Sequence, residues 1–170
     1  IVKRTRLKAG RKAYPTAGII DSQSVKGTLV SSQSSGYDAG KKIKGIKRHI
    51  VVDTIGLVLA VVIHSASVQD RGGAVFAIER MKQKWKSIKL VFADGGYTGE
   101  LIKAIKGQFR ITLEIIKRNE QHAVKILPKR WIVERTFAWI DTNRRNSKYY
   151  ERLDDTGVAM VYIASMRVML

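Results

Sequence analysis

The chain contains no cysteine. That excludes a disulfide framework, a thiolate zinc site and a cysteine nucleophile, and it leaves the redox compartment unspecified. Proline occurs twice, and acids are scarce: 14 Asp and Glu stand against 32 Lys and Arg, a formal net charge of +18. Solubility alone asks for much less charge, so a polyanionic partner is implied. No segment approaches the ~18 uninterrupted apolar residues of a membrane span. No isolated basic amphipathic helix carries the charge either; basic residues are spread along the whole chain. No membrane partner is expected, and a nucleic acid backbone is the most economical polyanion. The first residues, Ile1-Val2-Lys3-Arg4-Thr5-Arg6-Leu7-Lys8, lack the Met, the apolar run and the small-residue cleavage site of a signal peptide. A start at Ile1 reads as a piece of something longer, and a cytoplasmic location is the expectation.

What is present suffices for one packed domain: 170 residues, of which 45% are hydrophobic. Residues 1–14 carry Lys3, Arg4, Arg6, Lys8, Arg11 and Lys12 with little periodicity. They read as a basic linker or arm, laid on phosphate or solvated, ahead of a catalytic domain over 15–170. The pattern predicts strands over 17–21, 45–54, 57–64, 88–93 and 110–116, with Ile55-Gly56 turning the hairpin. Helices are predicted over 73–84, 98–106, 129–146 and 154–169, and a long Ser, Gly and Lys-rich loop over 28–42. The strand 57–64 is apolar at consecutive positions, so it is expected to be covered on both sides. An early hairpin followed by alternating helices and strands gives an α/β fold, a mixed five-stranded sheet with helices on both faces.

Three carboxylates stand out. Asp21 ends the apolar run Ala17-Gly18-Ile19-Ile20, Asp94 ends Leu90-Val91-Phe92-Ala93, and Glu134 lies in a helical stretch. Strand ends hold short Asp side chains at the rim of a sheet, and a helix brings a longer Glu across. Such acids suit two Mg²⁺ (or Mn²⁺) ions, which take oxygen ligands and activate phosphodiester chemistry. Gly95-Gly96 after Asp94 allow close approach of a phosphate or metal, although two glycines after a strand are equally a plain turn. On a helical wheel Arg130, Glu134, Asp141 and Arg145 form one polar stripe, while Trp131, Ile132, Val133, Phe137, Trp139 and Ile140 surround it. An Arg130–Glu134 salt bridge is the commoner local reading of that spacing. Asp53 is expected to serve its turn, and Asp70 to cap a helix or bind Arg71. His49 and His64 are in apolar strands and His122 is in a polar loop, without zinc spacing. Trp85 is a base-stacking platform if exposed beside the basic surface and core otherwise.

At these residues the chain resembles the catalytic domain of bacterial insertion-sequence transposases of the DDE class. The matching blocks are Asp21-Ser22-Gln23-Ser24-Val25-Lys26, Ala93-Asp94-Gly95-Gly96-Tyr97 and Arg130-Trp131-Ile132-Val133-Glu134-Arg135-Thr136-Phe137-Ala138-Trp139. The segments 47–54 and 66–71 also fit. The resemblance implies a ribonuclease H-like fold and metal-dependent DNA strand cleavage and strand transfer, with Asp21, Asp94 and Glu134 as the acidic, metal-holding triad. It implies double-stranded DNA, transposon ends and target, as partner. Arg130, Lys26, the basic stretch with Lys41, Lys42, Lys44, Lys47 and Arg48, and Arg144 and Arg145 are then expected to contact phosphates. Two departures stand out: the tyrosine expected three positions before Arg130 is Leu127, and the lysine expected seven after Glu134 is Asp141. The amino-terminal DNA-recognition portion of such enzymes is expected to be absent here. Transposition brings two ends together, so a homodimer is expected. Two other readings are an inactive DNA-binding remnant and a structure-selective nuclease of the same fold.

Overall fold

The computed structural model describes residues 1–31, 34–116 and 129–169, so His122 and Leu127 lie outside the described residues. Its sheet is mixed. Strand β1 (Ala17–Lys26) pairs antiparallel with β3 (Ile43–Asp53), which pairs antiparallel with β4 (Val58–Ser65). On its other edge β1 runs parallel to β5 (Leu90–Ala93), and β5 parallel to β6 (Thr112–Ile115). A short sixth strand, β2 (Gly36–Asp38), pairs with the start of β3. It falls in the stretch expected to be loop, because three residues carry too little periodicity to announce a strand.

Alternation along the strands sends side chains to two cores. Ile20, Val51, Ala60 and Val91 pack under α2 (Asp70–Lys84) and α3 (Glu100–Phe109) with Ile78, Met81, Trp85 and Ile105. Ile19, Val25, Ile46, Ile50 and Phe92 pack on the opposite side with Val133 and Phe137 of α4 (Arg130–Asp141) and Val161 of α6 (Asp154–Met169). Helices therefore cover both faces, as the uninterrupted apolar run of β4 requires. Trp85 belongs to the first core, 3% exposed, its indole N–H donating to the Leu59 carbonyl at 3.2 Å.

Two local expectations change. Residues 1–14 are not simply an arm: Val2–Lys8 form helix α1, docked through the buried Arg6, whose guanidinium pairs with the fully buried Asp53. Asp53 also serves its turn, accepting from the backbone N–H groups of Ile55 (3.0 Å) and Leu57 (2.8 Å). The helix expected over 129–146 breaks after Asp141, where Thr142 Oγ1 donates to the Trp139 carbonyl and Asn143 Nδ2 reaches the carbonyls of Trp139 and Ile140. Side chains that bond the last carbonyls compete with continuation of the helix, and α5 (Arg144–Ser147) starts in a new direction.

Two cations expected at DNA are inside. Arg48, 1% exposed, donates to Asp141 (3.2 Å), to Gln23 Oε1 (3.2 Å) and to the Asn146 carbonyl, tying β3, β1 and the α4–α5 corner together. Lys47, 5% exposed and on the opposite face, holds Asp70 (2.9 Å), the Val68 carbonyl (2.9 Å) and, at 3.6 Å, Asp38. Both charges are committed internally, and neither is presented to a phosphate. Asp141, where a lysine was expected, is the counter-charge that Arg48 needs. Arg48→Ala strips that partner from Asp141 and leaves a void in the second core. The expected loss is about 3–5 kcal/mol of unfolding free energy, read as a lower urea midpoint.

Candidate active site

The sheet itself brings Asp21 and Asp94 together. In the parallel pairing of β1 with β5 the last level pair is Ile19 with Phe92; the same register continued two residues puts Asp21 and Asp94 at one end of the sheet. Past Phe92 the two strands part, β5 ending at Ala93 while β1 continues against β3. A crevice at the carboxyl end of parallel strands, where neighbouring connections diverge, is the usual ligand position of such sheets. Asp94 is the cap of the one-turn helix Gly95–Tyr97: its Oδ1 accepts from the Gly96 N–H at 2.9 Å. That bond fixes the carboxylate beside the crevice, and the bare glycine leaves it uncovered.

Helix α4 packs across β1 and supplies the rest. Arg130 Nη2 lies 3.2 Å from Glu134 Oε1 and 3.9 Å from Asp94 Oδ2, so one guanidinium links the helix acid to the strand acid. The expected local salt bridge is present, and it is part of the meeting point. Glu134 is 55% exposed at its side chain, which makes the stripe on α4 an open wall of the crevice. Arg145 leaves that stripe at the helix break and pairs instead with the buried Glu151, at 2.8 Å.

Charge crowding shows in Asp21. Burial, reinforced by the like charge of Asp94, pushes its carboxyl up to about 6, against the lowering effects of the Ser22 N–H at 2.7 Å, Arg130 and Lys41. No cation forms a salt bridge with it among the described residues. Oxygen donors around a charge-deficient point suit a hard divalent ion. As they stand, however, no three His, Asp or Glu side chains among the described residues close around one metal position; Arg130 occupies the space between Asp94 and Glu134. The donor chemistry fits a divalent cation, with the guanidinium as its present stand-in.

Behind Asp21 lies a half-buried polar network. Ser22 Oγ donates to Asp70 Oδ1 at 2.8 Å, and Asp70 is the partner of Lys47. Asp70 thus braces the strand next to Asp21 instead of capping α2 or binding Arg71, whose Nε donates to the Gly96 carbonyl at 3.3 Å. His49 and His64 hydrogen-bond each other at 2.9 Å with rings stacked 4.9 Å apart. Burial and the neighbouring ring push His49 down to about 3, so the pair is a neutral core element at physiological pH. Gly73 of α2 backs onto it: a Cβ there would sit 2.3 Å from atoms of both rings.

The remaining basic positions are at the surface. Lys41 is exposed and reaches the Ser22 carbonyl at 3.5 Å, nearest the acids. Lys42, Lys44, Lys26 and Arg144 are exposed. Lys26 and Lys44 line an open cleft of ≈ 510 Å³ with Lys148. Sequence reading missed Lys148, which reaches that cleft only because Tyr149 pairs with Gly27 at the end of β1. It missed Tyr97 and Ser22 as neighbours of the acids as well, although both stand inside the conspicuous blocks.

A Burkholderia cepacia protein assigned as the transposase for insertion sequence element IS402 is 31% identical over 118 residues, 65% of this chain and 56% of that protein. The chain thus spans little more than half the length of this curated relative. Among solved structures, the catalytic core domain of BIV integrase superposes with a TM-score of 0.52 at 12% identity, covering 89% of this chain and 81% of that one; the likeness establishes the ribonuclease H-like fold. The family described as Transposase DDE domain matches residues 13–169, and with nearly the whole chain accounted for, the protein belongs to that family.

Proposed function

We propose that this chain cleaves and joins DNA strands as the catalytic domain of an insertion-sequence transposase, with Asp21, Asp94 and Glu134 as its acidic triad. The reading is supported by the strand register, which brings Asp21 and Asp94 to the same end of the sheet, and by Arg130, whose guanidinium stands between Asp94 and Glu134. Two Mg²⁺ or Mn²⁺ ions held by these carboxylates would supply an activated oxygen nucleophile and neutralise the leaving oxygen. The chain's own part is to hold the three carboxylates and to present Arg130. Once a cation takes over its pairing with the acids, the guanidinium is free to bind a phosphate in bidentate fashion.

Double-stranded DNA, as transposon end and as target, is the proposed partner. Lys26, Lys41, Lys42, Lys44, Arg144 and, at the rim, Arg145 would follow its backbone, with Lys148 added to them. Lys47 and Arg48 drop out because their charges are already neutralised inside. Joining two ends calls for a second copy of the chain. Among the described residues no helix is long and apolar enough to cross a membrane, and a DNA substrate implies action in the cytoplasm.

The direct test is Asp94→Asn. Metal-dependent nicking of supercoiled DNA is expected to fall by 100-fold or more, by order of magnitude, with duplex affinity within about twofold of the parent. Undiminished nicking by a homogeneous preparation overturns the assignment.

A second test uses the stability of the metal-free protein. The folded carboxyl of Asp21 titrates near 6 against an ordinary 3.8. Its contribution is therefore most favourable below pH 3.8 and is lost as the pH rises through about 6. Asp21→Asn removes that cost. In chelator at pH 8 the variant is expected to be more stable by about 2 kcal/mol, allowing for partial solvent access. Melting scans should show the advantage shrinking as the pH is lowered through 6, even though the variant is inactive.

A further inference from the structure

Helix α4 holds a cation between two indoles. Trp131, Arg135 and Trp139 are spaced four residues apart, which stacks them along one side of a helix. The Arg135 guanidinium lies 4.4 Å from the ring centre of each tryptophan. It is fixed from the β3–β4 turn as well: Nη2 donates to the Ile55 carbonyl at 3.1 Å, and a Cβ on Gly56 would stand 3.2 Å from the same atom. Its Nε is buried and without a hydrogen-bond partner. Enclosed in this way, Arg135 braces the rings instead of reaching for a phosphate.

Trp131 is the ring left open. Trp85 is core and Trp139 is half-buried, whereas Trp131 belongs to neither core and is 45% exposed. With one face laid on the guanidinium, what remains accessible is its other face and its edge. Single exposed apolar residues are ordinary on a protein surface, but a ring held at a fixed angle by a cation–π contact is preorganised to receive something flat. Its position gives that surface a use. Glu134 follows three residues later, so the two side chains are neighbours on the helix, about 5–6 Å apart at Cβ. Glu134 is in the open wall of the crevice, and the indole therefore borders the crevice on its solvent side.

A nucleobase fits such a surface. Every base offers a π face, and stacking on an aromatic side chain is indifferent to sequence. Bases inside a duplex are already stacked on one another, so the ring is open only to a base that has left its pair. Resting on the proposed action on DNA, we infer that Trp131 is a stacking platform for an unpaired base beside the acidic crevice, with Arg135 and Trp139 as its brace. The contact is made to the base, and the backbone is left to the lysines and arginines.

Binding measured in chelator, by fluorescence anisotropy of two labelled duplexes, tests this. One duplex carries a short thymine overhang, and the other an overhang of the same length without bases, so that both present the same backbone charge. The parent is expected to bind the thymine overhang about tenfold more tightly. Trp131→Ala is expected to bind both alike, at the parent's affinity for the baseless one, and Trp131→Phe to keep part of the preference. Equal affinities in the parent overturn the inference, and so does a preference that survives in Trp131→Ala. Weakening of both duplexes by the same factor in Trp131→Ala overturns it too, because the ring would then support the scaffold and not a base. A parent that binds neither duplex removes the DNA reading and this inference with it. A parent that nicks DNA but binds the two overhangs alike removes only the role of Trp131.

Discussion

Like-charge crowding between two strand-borne carboxylates is the constraint around which the site is arranged. The parallel register of β1 and β5 leaves Asp21 and Asp94 no choice but to share one end of the sheet, and burial makes the sharing costly. The neighbouring features are responses to that cost. Arg130 leans from α4 toward Asp94, the Gly96 N–H and the Ser22 N–H each bond a carboxylate, and Lys41 overhangs the strand from the solvent side. The compensation is partial: Asp21 keeps one backbone N–H and has no salt bridge among the described residues.

Stability then has to come from elsewhere. Adjacent residues of β3 provide it by pointing opposite ways: Lys47 ties α2 and β1 together on one face, and Arg48 ties α4 and β1 on the other. Each passes through a polar side chain of β1, Ser22 by way of Asp70 and Gln23 directly. The segment that looks like a catalytic block in one dimension is therefore half scaffold. Asp21 alone among its first three residues faces the crevice without a side-chain partner of its own.

Much of this was legible beforehand. Alternation and apolar runs located the five principal strands and the helices α2, α3 and α6, because those elements bury a face and periodicity reports burial directly. The three acids could be singled out because their settings differ and the blocks around them are distinctive. Other features were hidden for physical reasons. Lys47 and Arg48 looked like surface charge, since a sequence shows that a cation is present but not the carboxylate 20 or 90 residues away that admits it to the interior. The end of α4 depended on Thr142 and Asn143 choosing carbonyls over solvent. Helix α1 lacks an apolar stripe and is held by the buried Arg6–Asp53 pair together with Val2 packed against the first core. Level placement of Asp21 and Asp94 required the strand pairing, which no single segment encodes.

Strand β1 is wired alternately: Ser22 braces one face of the sheet through Asp70 and Lys47, and Gln23, on the face of Asp21, braces the other through Arg48. Exchanging one residue type for another there disturbs a single link. Losing or gaining one position would shift every later residue of the strand across the sheet, turning Ser22 to the crevice and Asp21's successor partners to the wrong core. The length of this strand is consequently a stricter constraint on the chain than its spelling.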